Sequence, residues 1–116
     1  MGRAIPASCD QVALYTEPGM HRSLVERRLI EVNSRLKRVR GELAVVDEQL
    51  AALADAADEA RIRYLVSETP LADRELREAR RHADAMARSR VAVMESIAEL
   101  ERAQDELLDR LVTEPQ

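Results

Sequence analysis

Aromatic side chains are nearly absent from this chain of 116 residues, which contains two tyrosines and no phenylalanine or tryptophan. Because aromatic residues bury the most apolar surface per side chain, their scarcity argues against a large globular core. The apolar residues are mostly alanine, leucine and valine, and 34% of all residues are charged. Such a composition is typical of long helices, and the length allows one domain at most.

Residues that interrupt helices are also few, with three glycines and four prolines in the chain. Four of these seven lie within residues 1–19, a segment without helical periodicity that we expect to be a flexible N-terminal arm. The single cysteine, Cys9, excludes an intramolecular disulfide and fits a reducing compartment. No apolar run is long enough for a signal peptide or a membrane span. The sequence therefore predicts a soluble cytoplasmic protein with no membrane association.

The charge balance offers little attraction for polyanions, because the net charge at pH 7 is −4. Only one of the 18 basic residues is a lysine, Lys37, which together with the alanine content suggests a GC-rich bacterial genome. The basic run within residues 27–40 has no interleaved aromatic side chain for stacking on bases. We therefore expect no nucleic-acid partner and interpret the run as neutralising acidic residues elsewhere in the fold.

Two apolar stripes with alternating spacings of three and four residues are the dominant pattern, and this spacing is typical of a coiled-coil seam. The first stripe consists of Val25, Leu29, Val32, Leu36, Val39, Leu43, Val46, Leu50, Leu53, Ala57, Ala60 and Tyr64. The second consists of Ala72, Leu76, Ala79, Ala83, Met86, Arg90, Val93, Ile97, Leu100, Gln104, Leu107 and Leu111.

The two stripes match layer by layer when the second is reversed against the first. Leu36 then faces Leu100 and Leu50 faces Met86, so the numbers of facing residues always add up to 136. We call each facing pair a rung and both stripes together the seam. The sequence thus predicts an all-α fold, an antiparallel two-helix coiled-coil hairpin.

Local signals give the expected boundaries of the hairpin. Helix one is expected over residues 20–66, a turn over 67–69 and helix two over 70–112, followed by a C-terminal tail at 113–116. Thr69 is a good N-cap and Pro70 suits the first helical position, where its missing N–H costs nothing. Gly41 interrupts helix one at an outward position, where it should cost about 1 kcal/mol.

Charge independently supports the antiparallel pairing. Residues 22–40 hold seven basic and two acidic side chains, whereas the facing residues 97–111 hold five acidic and two basic ones. Residues 42–60 hold six acids and no base, opposite five arginines and two acids in residues 76–94. Near the turn, the register brings Arg61 close to Asp73 and Arg63 close to Glu75, two candidate ion pairs.

The sequence contains no recognisable catalytic, metal-binding or cofactor-binding pattern. His21 and His82 lie far apart, and neither has a cysteine or second histidine at metal-ligand spacing. No glycine-rich phosphate loop, nucleophile elbow or HExxH pattern is present. We therefore expect no enzymatic activity, no catalytic residue, no metal and no cofactor.

Two further features concern assembly. Arg90 and Gln104 occupy seam positions, where a polar residue either is tolerated at the edge or specifies the register. Beside the seam, small and apolar residues share one flank, which favours self-association into a four-helix bundle, although alanine is also a common surface residue in helices. This candidate dimer flank consists of Ala44, Ala51, Ala54, Ala87, Val91, Met94 and Ala98.

The turn is the one stretch that periodicity does not explain. A hairpin with an acidic tip resembles the reach-in arms of bacterial transcript-cleavage factors, which probe the polymerase channel. The resemblance is one of architecture, and it would require tip carboxylates free to hold a metal, whereas Asp73 and Glu75 have arginines nearby. The apolar residues around the tip are either a cap for the end of the hairpin or a contact for a partner. The candidate tip contact consists of Ile62, Leu65, Val66, Glu68 and Leu71.

These observations favour a non-enzymatic interaction module, an adaptor or scaffold in a bacterial cytoplasmic assembly, with an unidentified protein partner and a homodimeric state. One alternative is a regulator that inserts its hairpin tip into a large enzyme such as RNA polymerase. Another is a small holdase chaperone that binds clients through the apolar tip.

Overall fold

The protein is an all-α antiparallel helical hairpin, as the sequence predicts. In the computed structural model, the backbone of residues 18–113 and the side chains of residues 22–113 are described. Helix α1 spans Pro18–Ser67 and helix α2 spans Pro70–Thr113. The two helices pack against each other. Both are long because neither contains a proline beyond its first turn, and the only glycine beyond a first turn is Gly41 in α1.

Helix α1 begins earlier and ends later than expected. Pro18 occupies its first position, where proline is favoured because its nitrogen needs no partner there. Ser67 remains helical, and its hydroxyl donates a hydrogen bond to the carbonyl oxygen of Arg63 at 2.9 Å. The expected N-terminal arm, residues 1–19, otherwise lies outside the described residues.

Helix α2 begins at Pro70 as expected and extends one residue further, to Thr113. The Thr113 hydroxyl donates to the carbonyl oxygen of Asp109 at 2.9 Å and so shares this acceptor with the helical N–H of Thr113. The remainder of the expected C-terminal tail, residues 114–116, lies outside the described residues.

The turn between the helices contains only Glu68 and Thr69. The N–H of Glu68 donates to the carbonyl oxygen of Tyr64 at 2.7 Å, and Glu68 then adopts a φ of 51°, in the left-handed region. This conformation ends α1 in the way that glycine usually does, although a side chain makes it less favourable. Thr69 is confirmed as the N-cap of α2, because its hydroxyl oxygen accepts a hydrogen bond from the N–H of Ala72 at 3.1 Å.

The chain divides into two packed units, of which the first comprises residues 18–36 and 100–113 in the described part. Val25, Leu36, Leu100 and Leu107 form its buried core. Arg22 connects the two helices, because its guanidinium donates to the carbonyl oxygen of Leu111 at 3.1 Å. This bond satisfies another carbonyl in the last turns of α2.

The second unit comprises residues 37–99 and includes the turn. Its buried residues, Ala60, Ala72 and Leu76, all lie near the turn. The other seam residues of this unit, from Val39 to Tyr64 and from Ala79 to Ile97, are half-buried. The seam of this unit therefore remains partly accessible to water at most of its rungs.

Candidate interaction surfaces

Every residue of both predicted stripes is buried or half-buried. Outside the stripes, only four of the side chains at residues 22–113 are shielded from solvent to this degree, namely Arg22, Asp73, Ala98 and Ala103. Nine large apolar residues of the predicted stripes are the candidate seam contacts, and three of them are buried: Leu36, Leu100 and Leu107. The other six, Leu29, Leu43, Leu50, Met86, Val93 and Ile97, are half-buried.

Both polar seam residues bond to the opposite helix. The guanidinium of Arg90 forms an ion pair with the carboxylate of Asp47, and the side-chain amide of Gln104 donates to the side-chain oxygen of Asn33 at 2.8 Å. Asp47 follows Val46, the rung partner of Arg90, and Asn33 follows Val32, the rung partner of Gln104. In the predicted register, each bond therefore joins a seam residue to the residue directly after its rung partner.

Sequence analysis did not identify Asp47 and Asn33 as the partners of these two seam residues. A usable signal was present, because each is a polar residue directly after the rung partner of a polar seam residue. A long side chain at a seam position can reach outward past its rung partner, and it then meets the next residue on that side.

The direction of these two bonds defines one flank of the hairpin. In a right-handed helix, residues one position after the seam lie to one side of it, and in an antiparallel pair both helices present these residues on the same side. We call this side the following flank. The opposite side, formed by residues one position before the seam, we call the preceding flank.

All seven residues of the candidate dimer flank lie on the following flank, within the unit 37–99. Val91 exposes 56% of its surface and Met94 exposes 45%. The alanines at positions 44, 51, 54 and 87 are also exposed, whereas Ala98 is half-buried. The Arg90–Asp47 ion pair lies among these residues, and the exposed Asp84, which follows Ala83, lies across from Ala54. The surface is therefore apolar except for one charged pair at its centre and one carboxylate at its turn-side end.

The preceding flank of the same unit has a different character. Arg63 and Glu75, each one position before a seam residue, confirm one expected ion pair at an N–O distance of 4.0 Å. A shallow groove of about 480 Å³ lies further along, where an added Cβ on Gly41 would meet no atom within 4 Å. Gly41 therefore points outward as expected. The groove is lined by Arg38, Gly41, Glu42, Val45, Val46 and Val93.

The turn presents an exposed apolar surface. Val66 exposes 82% of its surface, and Ile62, Leu65 and Leu71 each expose more than half of theirs. Glu68, also exposed, lies at the apex with its left-handed backbone conformation. All five residues of the candidate tip contact are thus accessible, and the aliphatic ones do not form a buried cap for the hairpin.

The second expected ion pair at the turn, between Arg61 and Asp73, was wrong. Asp73 instead pairs with Arg77, one turn further along its own helix, at 2.9 Å. Residues four apart on one helix are close neighbours, and this proximity outcompetes an arginine that must reach from the other helix. Of the two residues that form the turn, Glu68 carries a carboxylate and Thr69 does not.

The described residues contain neither a metal-binding cluster nor a membrane-spanning stretch. Among side chains 22–113, no three histidine, cysteine or acidic residues are grouped so that they could hold a metal ion. His82 is exposed, while His21 and Cys9 lie outside the described side chains. Neither α1 nor α2 contains a stretch that is apolar over the length needed to cross a bilayer.

Comparison with known proteins identifies no relative: no family model matches the chain, and no curated protein or solved structure is significantly similar to it.

Proposed function

We propose that this protein is a non-enzymatic coiled-coil interaction module, an adaptor or scaffold in a bacterial cytoplasmic assembly. Its contact surface is the candidate dimer flank. The observation that carries the proposal is the exposure of Val91 and Met94 among exposed alanines on one side of the hairpin. Contiguous apolar patches on exposed surfaces are typical of contact sites between proteins.

The composition of the following flank supports this assignment. Near the turn, the positions on this flank carry charged side chains, among them Asp58, Arg61, Arg77 and Arg80. Within residues 44–54 and 84–98, seven of the nine equivalent positions carry alanine, valine or methionine, and the other two carry Asp47 and Asp84. A helix that faced only water would gain solubility from charges at these positions as well, so the local change in composition favours a covered surface.

The pattern of burial supports the coiled-coil character of the module. Shielded residues recur at alternating intervals of three and four along both helices, an average period of 3.5. A straight α-helix has about 3.6 residues per turn, so a seam that keeps the shorter period stays facing its partner only if the helices wind around each other. Proteins of this kind commonly serve as interaction surfaces and spacers.

A second candidate function rests on the tip. Glu68 holds an unfavourable backbone conformation at the apex, and the large aliphatic residues Ile62, Leu65, Val66 and Leu71 surround it with most of their surface exposed. Strained backbone and exposed apolar side chains together are typical of functional sites. This surface fits a regulator that inserts its tip into a large enzyme such as RNA polymerase, or a holdase that binds apolar clients.

Affinity capture with matched variants tests the proposal. The flank variant is Val91→Glu with Met94→Lys, and the tip variant is Val66→Ser with Leu71→Ser. A control variant, Val45→Glu with Ala92→Lys, places the same two charges on the preceding flank. All six residues are exposed, so we expect each variant to keep its helicity.

The account predicts that wild type and the control variant capture the same protein from a lysate of the native organism, and that the flank variant loses it. Loss with the tip variant alone would overturn the flank assignment in favour of the second candidate. Equal capture by all four proteins would contradict both candidates, since neither surface would then contribute to binding.

A further inference from the structure

We propose that a second copy of this chain covers the candidate dimer flank, with the two hairpins side by side and pointing in the same direction. This proposal rests on the proposed function, because it assumes that this flank is a contact surface, and it identifies the partner. The two copies are related by a two-fold axis that runs along the hairpin between the two flanks. Helix α1 of each copy then lies against α2 of the other.

This arrangement places residues of the two copies at the same level. Each residue on the following flank of α1 comes directly after a seam residue. On α2 of the second copy, it faces the residue that comes directly after the rung partner of that seam residue. Ala51 follows Leu50 and Ala87 follows Met86, so Ala51 faces Ala87 of the second copy. By the same rule Ala44 faces Met94 of the second copy. Alanine opposite a larger side chain allows the helices to approach closely.

Charge complementarity supports the second copy as the occupant. Asp58 follows Ala57 and Arg80 follows Ala79, the rung partner of Ala57, so Asp58 faces Arg80 of the second copy. Both side chains are exposed, and neither forms an ion pair within the described residues of its own chain. The two-fold axis produces this pair twice, once at each of the two helix contacts. At the next rung towards the turn the same rule places Arg61 opposite Arg77, but Arg77 already pairs with Asp73 of its own helix, which offsets its charge.

The Arg90–Asp47 ion pair at the centre of the flank also lies at the contact between the two copies. Asp47 and Arg90 lie at one level in each copy, so the arrangement brings two such pairs together in the middle of the interface. Four charges of alternating sign then neighbour one another. A polar pair in the middle of a mainly apolar stretch limits which levels can face each other, as polar seam residues do in coiled coils.

The opposite direction of packing is electrostatically unfavourable. If the two hairpins pointed in opposite directions about the centre of the flank, α1 would lie against α1 of the second copy. The stretch 42–60, with six acids and no base, would then largely face itself, and the stretch 76–94, with five arginines and two acids, would do the same. Like charges at an interface suppress such an arrangement.

Charge reversal at Asp58 and Arg80 tests both the self-association and its direction. The wild type should sediment at twice the mass of the chain at micromolar concentration. Asp58→Arg and Arg80→Asp should each weaken self-association by about tenfold or more, because each places like charges opposite each other at two sites. An equimolar mixture of the two variants should associate as tightly as wild type, because in the mixed dimer every reversed charge faces its opposite.

Matched controls are available on the outer faces of the helices. Asp55→Arg and Arg81→Asp introduce the same charge changes at exposed positions away from both flanks, and they should leave the association unchanged. Circular dichroism of every variant checks that the hairpin remains folded.

A wild type that sediments as a single chain even at high concentration would overturn the proposal. A dimer whose D58R and R80D variants do not recover association on mixing would overturn the parallel arrangement. If the wild type is monomeric but the Val91→Glu with Met94→Lys variant still loses a captured protein, the flank binds a different partner. The proposed function then holds while the second copy is excluded.

Discussion

Replacement of Leu36 by aspartate should abolish the hairpin fold, with a loss of most of the helical signal in circular dichroism. Leu36 exposes 1% of its surface, and its rung partner Leu100 is also buried. Removing a buried leucine side chain costs about 2–5 kcal/mol, and placing an unpaired carboxylate in the same space adds further cost. The sum approaches the whole free energy of unfolding of a small domain, about 5–15 kcal/mol.

Leu24→Asp is the matched control for this experiment, because Leu24 lies on the same helix in the same unit, exposes 48% of its surface and, as the residue before Val25, lies away from the following flank. We expect it to change the free energy of unfolding by about 0.5 kcal/mol or less. Thermal melts of the two variants followed by circular dichroism give the comparison. Equal melting temperatures for Leu36→Asp and Leu24→Asp would show that Leu36 is not a core residue.

Replacement of Arg90 by leucine should have the opposite effect and increase the free energy of unfolding of the hairpin. The Arg90 and Asp47 side chains are 38% and 46% exposed, so their ion pair contributes at most about 1 kcal/mol. A leucine buried in the seam contributes about 1.5–3 kcal/mol, somewhat less at a half-buried position. We therefore expect a net gain of about 1 kcal/mol, which raises the melting temperature of a domain this size by about 4–8 °C.

Arg88→Leu removes the same charge from an exposed position two residues away and should leave the melting temperature nearly unchanged. Both variants must be compared at one protein concentration, because self-association would make the melt depend on concentration. A lower melting temperature for Arg90→Leu than for Arg88→Leu would show that the ion pair is essential to the hairpin.

The gain in stability expected for Arg90→Leu raises the question of what Arg90 does at the seam. Within one chain the register is already determined by the turn, because only Glu68 and Thr69 separate the two helices and no slippage is possible without a longer connection. A polar seam residue that specified the hairpin register would therefore be redundant. The guanidinium instead reaches onto the following flank to contact Asp47, where a second copy would meet it.

The fold could be predicted because its determinants are local and periodic. The spacing of Leu36, Leu43 and Leu50 reveals which side of α1 is shielded, and Thr69 with Pro70 reveals where α2 begins. Pairing of the two stripes then follows from one turn of known position. No further contact between residues far apart in the sequence had to be predicted.

Side-chain partners were harder to predict, because several charged residues lie within reach of each seam position. Asp73 could contact Arg61 across the hairpin or Arg77 on its own helix, and only the rotamers decide between them. The bond from Arg22 to the carbonyl oxygen of Leu111 was likewise not foreseen, since any long donor near a helix end can make such a contact. Periodicity identifies which surfaces meet but not which polar atoms pair.

The antiparallel register is the central claim, and a disulfide crosslink tests it most directly. With Cys9→Ser removing the natural thiol, Leu36→Cys and Leu100→Cys should form a disulfide within one chain under mild oxidation. Leu107 lies two turns beyond Leu100, roughly 10 Å further along α2, which is outside the reach of a disulfide. Leu36→Cys with Leu107→Cys should therefore stay reduced. A crosslink in the second pair and not in the first would contradict the register.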